Sequence, residues 1–215
     1  MNAEETTAPT SSADARRGQL LETALGVFAR HGYRKTSMDD VAHAAGVSRQ
    51  GLYLHFPTKE DLFREAVTHA LERAQELVAT VLARPAGSLE DRLVDAFDAW
   101  VGQFVEAVGS DVDDLVSACE ALLGPAVARE KQRFAARIAL ALEASGLAAS
   151  YAPAGITAVD LATTLCATAT GLKLAHTTRH GFIAAIRIAV RALCLPASIA
   201  ARPAARGRVV PLTGH

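Results

Sequence analysis

The sequence predicts an all-α protein, and three observations carry that prediction. Alanine is abundant, while aromatic residues make up 5% of the chain; alanine is the strongest helix former. The pattern Ser/Thr-x-x-Asp recurs at Ser37/Asp40, Thr58/Asp61, Ser88/Asp91 and Thr157/Asp160. In such a pattern the hydroxyl caps a free backbone N–H and the acid suits the positive helix end. Each instance is followed by apolar residues at three- and four-residue steps, the period of a helix with one buried face. The chain has 215 residues, of which 50% are hydrophobic. That allows one medium domain or two small ones with a real core.

The elements follow in order. Residues 1–12 carry acids and a Thr/Ser/Pro bias with no apolar run, which predicts a disordered leader and not a signal peptide. A first helix is expected over about 13–31, with Leu20, Leu21, Ala24, Val27 and Phe28 inward and Gly32 at its stop. A second spans about 38–45 and buries Val41, Ala42 and Ala45. Gly46 then lets the chain reverse and Val47 plugs the corner. Ser48 caps a third helix over about 49–54, and Pro57 separates it from a fourth over 59–83. That helix has Phe63, Val67, Ala70, Ala74, Leu77 and Val81 on one face. After the break Arg84-Pro85-Ala86-Gly87, a fifth helix over 89–108 lines up Leu93, Phe97, Trp100, Phe104 and Val108. Further helices are expected near 113–123, 126–145, 158–178 and 181–195. From Pro196 to His215 the chain is rich in Pro, Ala and Arg and reads as a flexible tail.

Formal net charge is -1, so the chain as a whole lacks the profile of a nucleic-acid binder. The balance is local, however. From Ala15 to Phe56, Arg16, Arg17, Arg30, Arg34, Lys35 and Arg49 face Glu22, Asp39 and Asp40, a net +3. A basic end on a neutral protein fits a DNA-reading module joined to another function. The 3 cysteines, Cys119, Cys166 and Cys194, are odd in number and widely spaced in apolar surroundings. They form no disulfide framework, and a reducing, cytoplasmic setting is expected. Such cysteines are more often small buried hydrophobes than redox sensors; Cys194, three residues after Arg191, is the better sensor candidate. The uncharged run Leu161 to Leu172 is too short to span a bilayer.

The functional signal sits in residues 36–56, TSMDDVAHAAGVSRQGLYLHF. Two short helices joined by a glycine turn have the spacing of a helix-turn-helix. Leu52 and Phe56 share one face of the second helix and should pack inward. Arg49, Gln50, Tyr53 and Leu54 then fall outward, the layout of a recognition helix in a major groove. Arginine can make two hydrogen bonds to guanine and glutamine two to adenine, and a leucine can touch a thymine methyl. Tyr53, His55 and Lys59 are placed for backbone phosphates, as are Thr36 and Ser37 at a helix start. For His55, a structural role closing the helix competes equally. Two surface helices of an ordinary core are the bland alternative.

The stretch from Gly32 to Phe63, GYRKTSMDDVAHAAGVSRQGLYLHFPTKEDLF, resembles the DNA-binding domain of the tetracycline-repressor (TetR) family. The resemblance lies in a combination: an aromatic after glycine, T-S before the second helix, A-G-V-S at the turn, L-Y-x-H-F, then T-K-E-D-L. It covers about a quarter of the chain. It implies DNA contacts at Thr36, Ser37, Ser48, Arg49, Gln50, Tyr53, His55 and Lys59. It also implies a homodimer, an operator of double-stranded DNA, and a larger helical domain that binds a small effector. Two positions depart from the pattern: Leu54, where the family often has tyrosine or a polar residue, and Gly51, where threonine is common.

Residues 13–60 are thus expected to form the DNA-binding domain and 61–195 the effector-binding and dimerisation domain. Trp100, Phe104, Leu115, Cys119, Phe134, Ile138, Leu165 and Leu172 are candidates for lining an apolar pocket; plain core is the alternative. Ala167, Gly171 and Ala175 are small and four apart, and with Phe182, Ile186, Val190 and Leu193 they are candidates for a four-helix dimer contact. His176 and His180, four apart, would suit a metal only with further ligands that the sequence does not supply, so neither metal nor cofactor is expected. No nucleophile–base–acid set or phosphate loop points to an enzyme. A small-molecule carrier or enzyme with inert N-terminal helices, and a ligand-blind regulator or activator of the same fold, are the competing readings.

Overall fold

The computed structural model describes residues 12–102, 105 and 112–200. Among them are eight α-helices and no strand. α1 (Ser12–His31), α2 (Met38–Ala45), α3 (Arg49–His55) and α4 (Lys59–Leu82) lie where the helix punctuation puts them. α5 (Leu89–Trp100), α6 (Val112–Ala144), α7 (Ala158–Ala175) and α8 (Arg179–Ala200) complete the order. Two short 3-10 turns, Leu147–Ser150 and Ala152–Ala154, join α6 to α7.

The caps form as their chemistry demands. Ser37, Thr58, Ser88 and Thr157 each accept a hydrogen bond from the backbone N–H three residues on. At Ser37 and Thr157 the aspartate returns the bond to the cap's own N–H, closing a capping box. Hydrogen bonds from these serine and threonine hydroxyls hold the carboxyls of Asp40, Asp91 and Asp160 below the usual carboxylate range.

Four helices differ from the sequence expectation in their boundaries. α5 ends at Trp100, where Val101 caps it by donating to the Phe97 carbonyl, and Gly102, a weak helix former, follows; Phe104 and Val108 lie outside the described residues. Pro125 does not divide two helices but sits inside the single helix α6. A proline inside a helix costs about 3 kcal/mol. Here burial on both sides offsets it, because the two halves of α6 serve different cores. α7 stops at Ala175 with extended backbone at His176, so His176 and His180 are separated by a turn and do not share a helical face. α8 in turn runs on to Ala200, into the segment expected as tail.

Two hydrophobic cores result. The first gathers Leu21, Ala24, Val27 and Phe28 of α1, Met38, Val41 and Ala42 of α2, Leu52 and Phe56 around α3, and Leu62, Phe63, Ala66 and Val67 of α4. Phe28 and Phe63 meet edge to face at 5.1 Å at its centre. Ala118 and Leu123 of α6 complete it. The second core is built from the end of α4, α5, the rest of α6, α7 and α8, around Phe97, Phe134, Ile138, Leu165, Phe182 and Ile186. α4 and α6 therefore belong to both, and a boundary at residue 60 falls inside the first core. Ion pairs Arg179–Asp98, Arg187–Asp91 and Arg191–Glu90 lie in opposite residue order along α8 and α5 and set their antiparallel register.

Candidate nucleic-acid interface

The helix-turn-helix is assembled from the first core outward. Ser37 starts α2, Gly46 ends it at φ 66°, and Ser48 starts α3 by accepting from the Gly51 N–H at 3.0 Å. A left-handed residue is needed at that turn, which is glycine's domain. Leu52 and Phe56 are completely buried, so the opposite face of α3 points away from the protein. That face carries Arg49, Gln50, Tyr53, Leu54 and His55, all exposed, Leu54 at 79%. A Cβ at position 51 would lie 3.0 Å from the capping hydroxyl of Ser48, a contact like those that Asp40, Asp61, Asp91 and Asp160 make with their own caps, so the structure gives no local reason for glycine there.

Two expected contact residues are turned to other work. Thr36 is buried, and its hydroxyl donates to the Gly32 carbonyl at 2.7 Å. The Lys59 ammonium donates to the carbonyls of Tyr33 at 3.0 Å, Arg34 at 3.3 Å and Thr36 at 3.1 Å, and lies 4.6 Å from the Tyr33 ring centre. An ammonium has three donors, so those of Lys59 are taken by the loop before α2. Both side chains brace that loop and neither faces outward to a phosphate. Ser37 and Ser48 stay exposed, with their hydroxyls engaged as caps. The same loop is tied to α6: the Arg34 N–H donates to Asp114 at 2.8 Å and its guanidinium meets the second oxygen at 3.1 Å.

Two features of this surface were not read from the sequence. A cleft of about 790 Å³ runs between the start of α1 and the α2–α3 turn, lined by Arg16, Arg17, Ser48 and His55. It places the first turn of α1 beside the recognition face; Arg17 itself pairs with Glu65 and lies over the Phe56 ring. Asp39, counted in the sequence only as a charge, accepts from Arg49 Nη1 at 2.8 Å across the turn. Opposite charges ten residues apart are no signal until a turn folds one helix onto the next.

The pocket candidates do not come together as one set. Phe134, Ile138 and Leu165 are buried in the second core, with Trp100 and Leu172 packed against it. Trp100 stacks on Phe134 at 5.0 Å. Leu115 and Cys119 instead pack against the first core, because the α6 half that carries them faces α1 to α4. Among the described residues, clefts of about 340–900 Å³ are lined by α1, α2, α3, α4 and the middle of α6, and these candidates line none of those clefts.

The dimer candidates split by face. Ala167, Gly171 and Ala175 are exposed on α7. Phe182, Ile186 and Val190 are fully buried in the chain's own core, and Leu193 packs against it. This corrects the expectation: the apolar stripe 182-186-190 is the inner face of α8. Its outer face carries Ile188 and Leu195, exposed at 71% and 49%; on α7, Val159 and Leu174 are exposed at 61% and 83%. The cysteines lie in surroundings that disfavour the thiolate. Burial pushes Cys166 up to about 11 and raises Cys119 and Cys194. Arg191, which looked poised to activate Cys194, pairs with Glu90, and the Glu90 carboxylate raises that thiol further.

Comparison with known proteins adds to this geometry. Residues 20–66 match the family model for bacterial regulatory proteins, tetR family. Over 49 residues the chain is 49% identical to a "Probable acrEF/envCD operon repressor" of Escherichia coli (strain K12), covering 23% of this chain and 22% of that protein. Over 90 residues it is 34% identical to the HTH-type transcriptional repressor KstR2 of Mycobacterium tuberculosis (strain CDC 1551 / Oshkosh), covering 40% and 44%. The match thus spans less than half the length of these curated relatives. The fold extends much further: a TetR transcriptional regulator, SCO0520, from Streptomyces coelicolor superposes with a TM-score of 0.61 at 21% identity, over 82% of this chain and 97% of that one. Among the described residues, no helix is long and apolar enough to cross a membrane.

Proposed function

We propose that this chain, whose residues 20–66 are a DNA-binding domain of the tetR family of bacterial regulatory proteins, is a dimeric transcriptional repressor released from its operator by a small molecule. One observation carries the DNA-reading part: a capped helix-turn-helix buries one face of α3 completely and presents Arg49, Gln50, Tyr53, Leu54 and His55 on the other. Arg49 and Gln50 then take base edges, Leu54 a thymine methyl, and Tyr53 and His55 phosphates. Ser37 and Ser48 stand at the rim. Two copies meet through the outer faces of α7 and α8, where Val159, Leu174, Ile188 and Leu195 would leave water together. The effector is apolar or amphipathic, because Trp100, Phe134 and Leu172 surround an apolar second core. Release is a shift of population between two spacings of the recognition helices, with α4 and α6, shared by both cores, as the levers. Effector and operator must weaken each other reciprocally.

The test is selection from random duplexes by the purified full-length chain, then affinity across a salt series. A palindromic winner with a steep salt slope supports a dimeric reader, since symmetry in the site mirrors symmetry in the protein. No enrichment at low salt would overturn the reading. A small molecule that raises the melting temperature and weakens the winning duplex then separates an effector-released repressor from a ligand-blind regulator.

A further inference from the structure

Arg49, the first residue of α3, is held on two sides. Its Nη1 donates to Asp39 at 2.8 Å, and its guanidinium lies 5.6 Å from the ring centre of Tyr53, one helical turn on. Asp39 reaches it from the first turn of α2, across the turn of the motif. Both side chains of the ion pair are more than half exposed, at 65% and 54%. Water screens such a pair, so it contributes little to stability. Nor does α2 need Asp39 as a cap, because Ser37 and Asp40 already close the capping box. The fold gives no reason for this contact, while base reading does.

To read guanine, an arginine must present two N–H donors in plane to O6 and N7. A long, unrestrained side chain loses torsional freedom on doing so. In this chain one Nη1–H is spent on Asp39. Four of the five guanidinium N–H donors remain, and no other hydrogen-bond partner for them stands among the described residues. We propose that Asp39 is a positioning residue for base readout: it buttresses Arg49 from behind, so that the remaining edge of the guanidinium meets guanine in the major groove. The proposal rests on the DNA-reading function above. It adds the base that is read and a specificity residue that touches no base. The carboxylate has a second effect. Close to the phosphates its charge opposes binding to any duplex, which raises selectivity at the expense of affinity.

The experiment compares wild type with Asp39→Asn, Asp39→Ala, Asp39→Glu and Arg49→Ala, each full length and checked by thermal melting. Each is passed through the random-duplex selection. Each is then titrated with the winning duplex, with versions carrying adenine at each selected guanine, and with random-sequence duplex. Wild type should prefer guanine by about ten-fold or more at one position per half-site, and Arg49→Ala should lose that preference. Asp39→Asn and Asp39→Ala should cut it to about three-fold or less, with random-duplex affinity unchanged or higher. Asp39→Glu should restore part of it. A merely structural role would lower the melting temperature and weaken all duplexes alike. The buttress is overturned if either neutral variant keeps or sharpens the guanine preference, or if no selected guanine depends on Arg49; the wild-type selection would still stand for the DNA-reading function. If wild type enriches nothing, both fall.

Discussion

Lys59 illustrates how a residue's role is set by what folds against it. From its place in the motif it reads as a phosphate contact; in the structure its ammonium collects three carbonyls of the loop before α2. Hydrogen bonds from a charged donor contribute about 1.5–3 kcal/mol each when part-buried, and water screening reduces their sum here. Lys59→Ala should therefore destabilise the chain by about 1–3 kcal/mol, measured by urea unfolding. An unchanged midpoint with weakened DNA binding would return Lys59 to the phosphate role. Residues whose partners are three positions away, such as Ser37 and Thr157, were legible in the sequence because capping is local chemistry. Thr36, Lys59 and Asp39 were not, since their partners depend on how loop and turn close.

At the scale of elements, α6 and α8 carry the lessons. Helix starts, and the ends marked by Gly32 and Gly46, were readable from caps and left-handed glycines. The break expected between 123 and 126 does not form: Pro125 sits inside one helix whose flanks are both buried, Ala118 and Leu123 on one side, Phe134 and Ile138 on the other. Replacing it restores a backbone donor to the helix. Pro125→Ala should raise stability by up to about 3 kcal/mol, read as a higher melting temperature. A lower one would mean that the proline itself is required for α6 to serve both cores. On α8, periodicity found the apolar positions but could not say which stripe faces inward. Ile186 and Ile188 differ in sequence by two places and in exposure by 0% against 71%.

That contrast gives a test for the whole molecule. Ile188→Glu should leave helix content intact and turn dimer into monomer in analytical ultracentrifugation, with operator affinity falling by at least ten-fold (about 1.4 kcal/mol). Ile186→Glu buries an unpaired carboxylate and should prevent folding. A dimer that survives Ile188→Glu would remove the α7–α8 contact. The all-helical class and the helix-turn-helix were open to reading, because both rest on short-range pattern. The pairing of α6 with two cores, and the ties Arg34–Asp114 and Arg179–Asp98, join residues far apart in sequence and leave no local trace.

The first core has a practical consequence for anyone cutting the chain apart. Ala118 and Leu123 close the core of the helix-turn-helix from outside the segment, residues 20–66, that matches the family model. A fragment ending after α4 would expose the apolar floor those residues cover. Grafting this head onto a foreign domain therefore requires carrying the first half of α6 with it, so the unit that folds is larger than the motif that makes it recognisable.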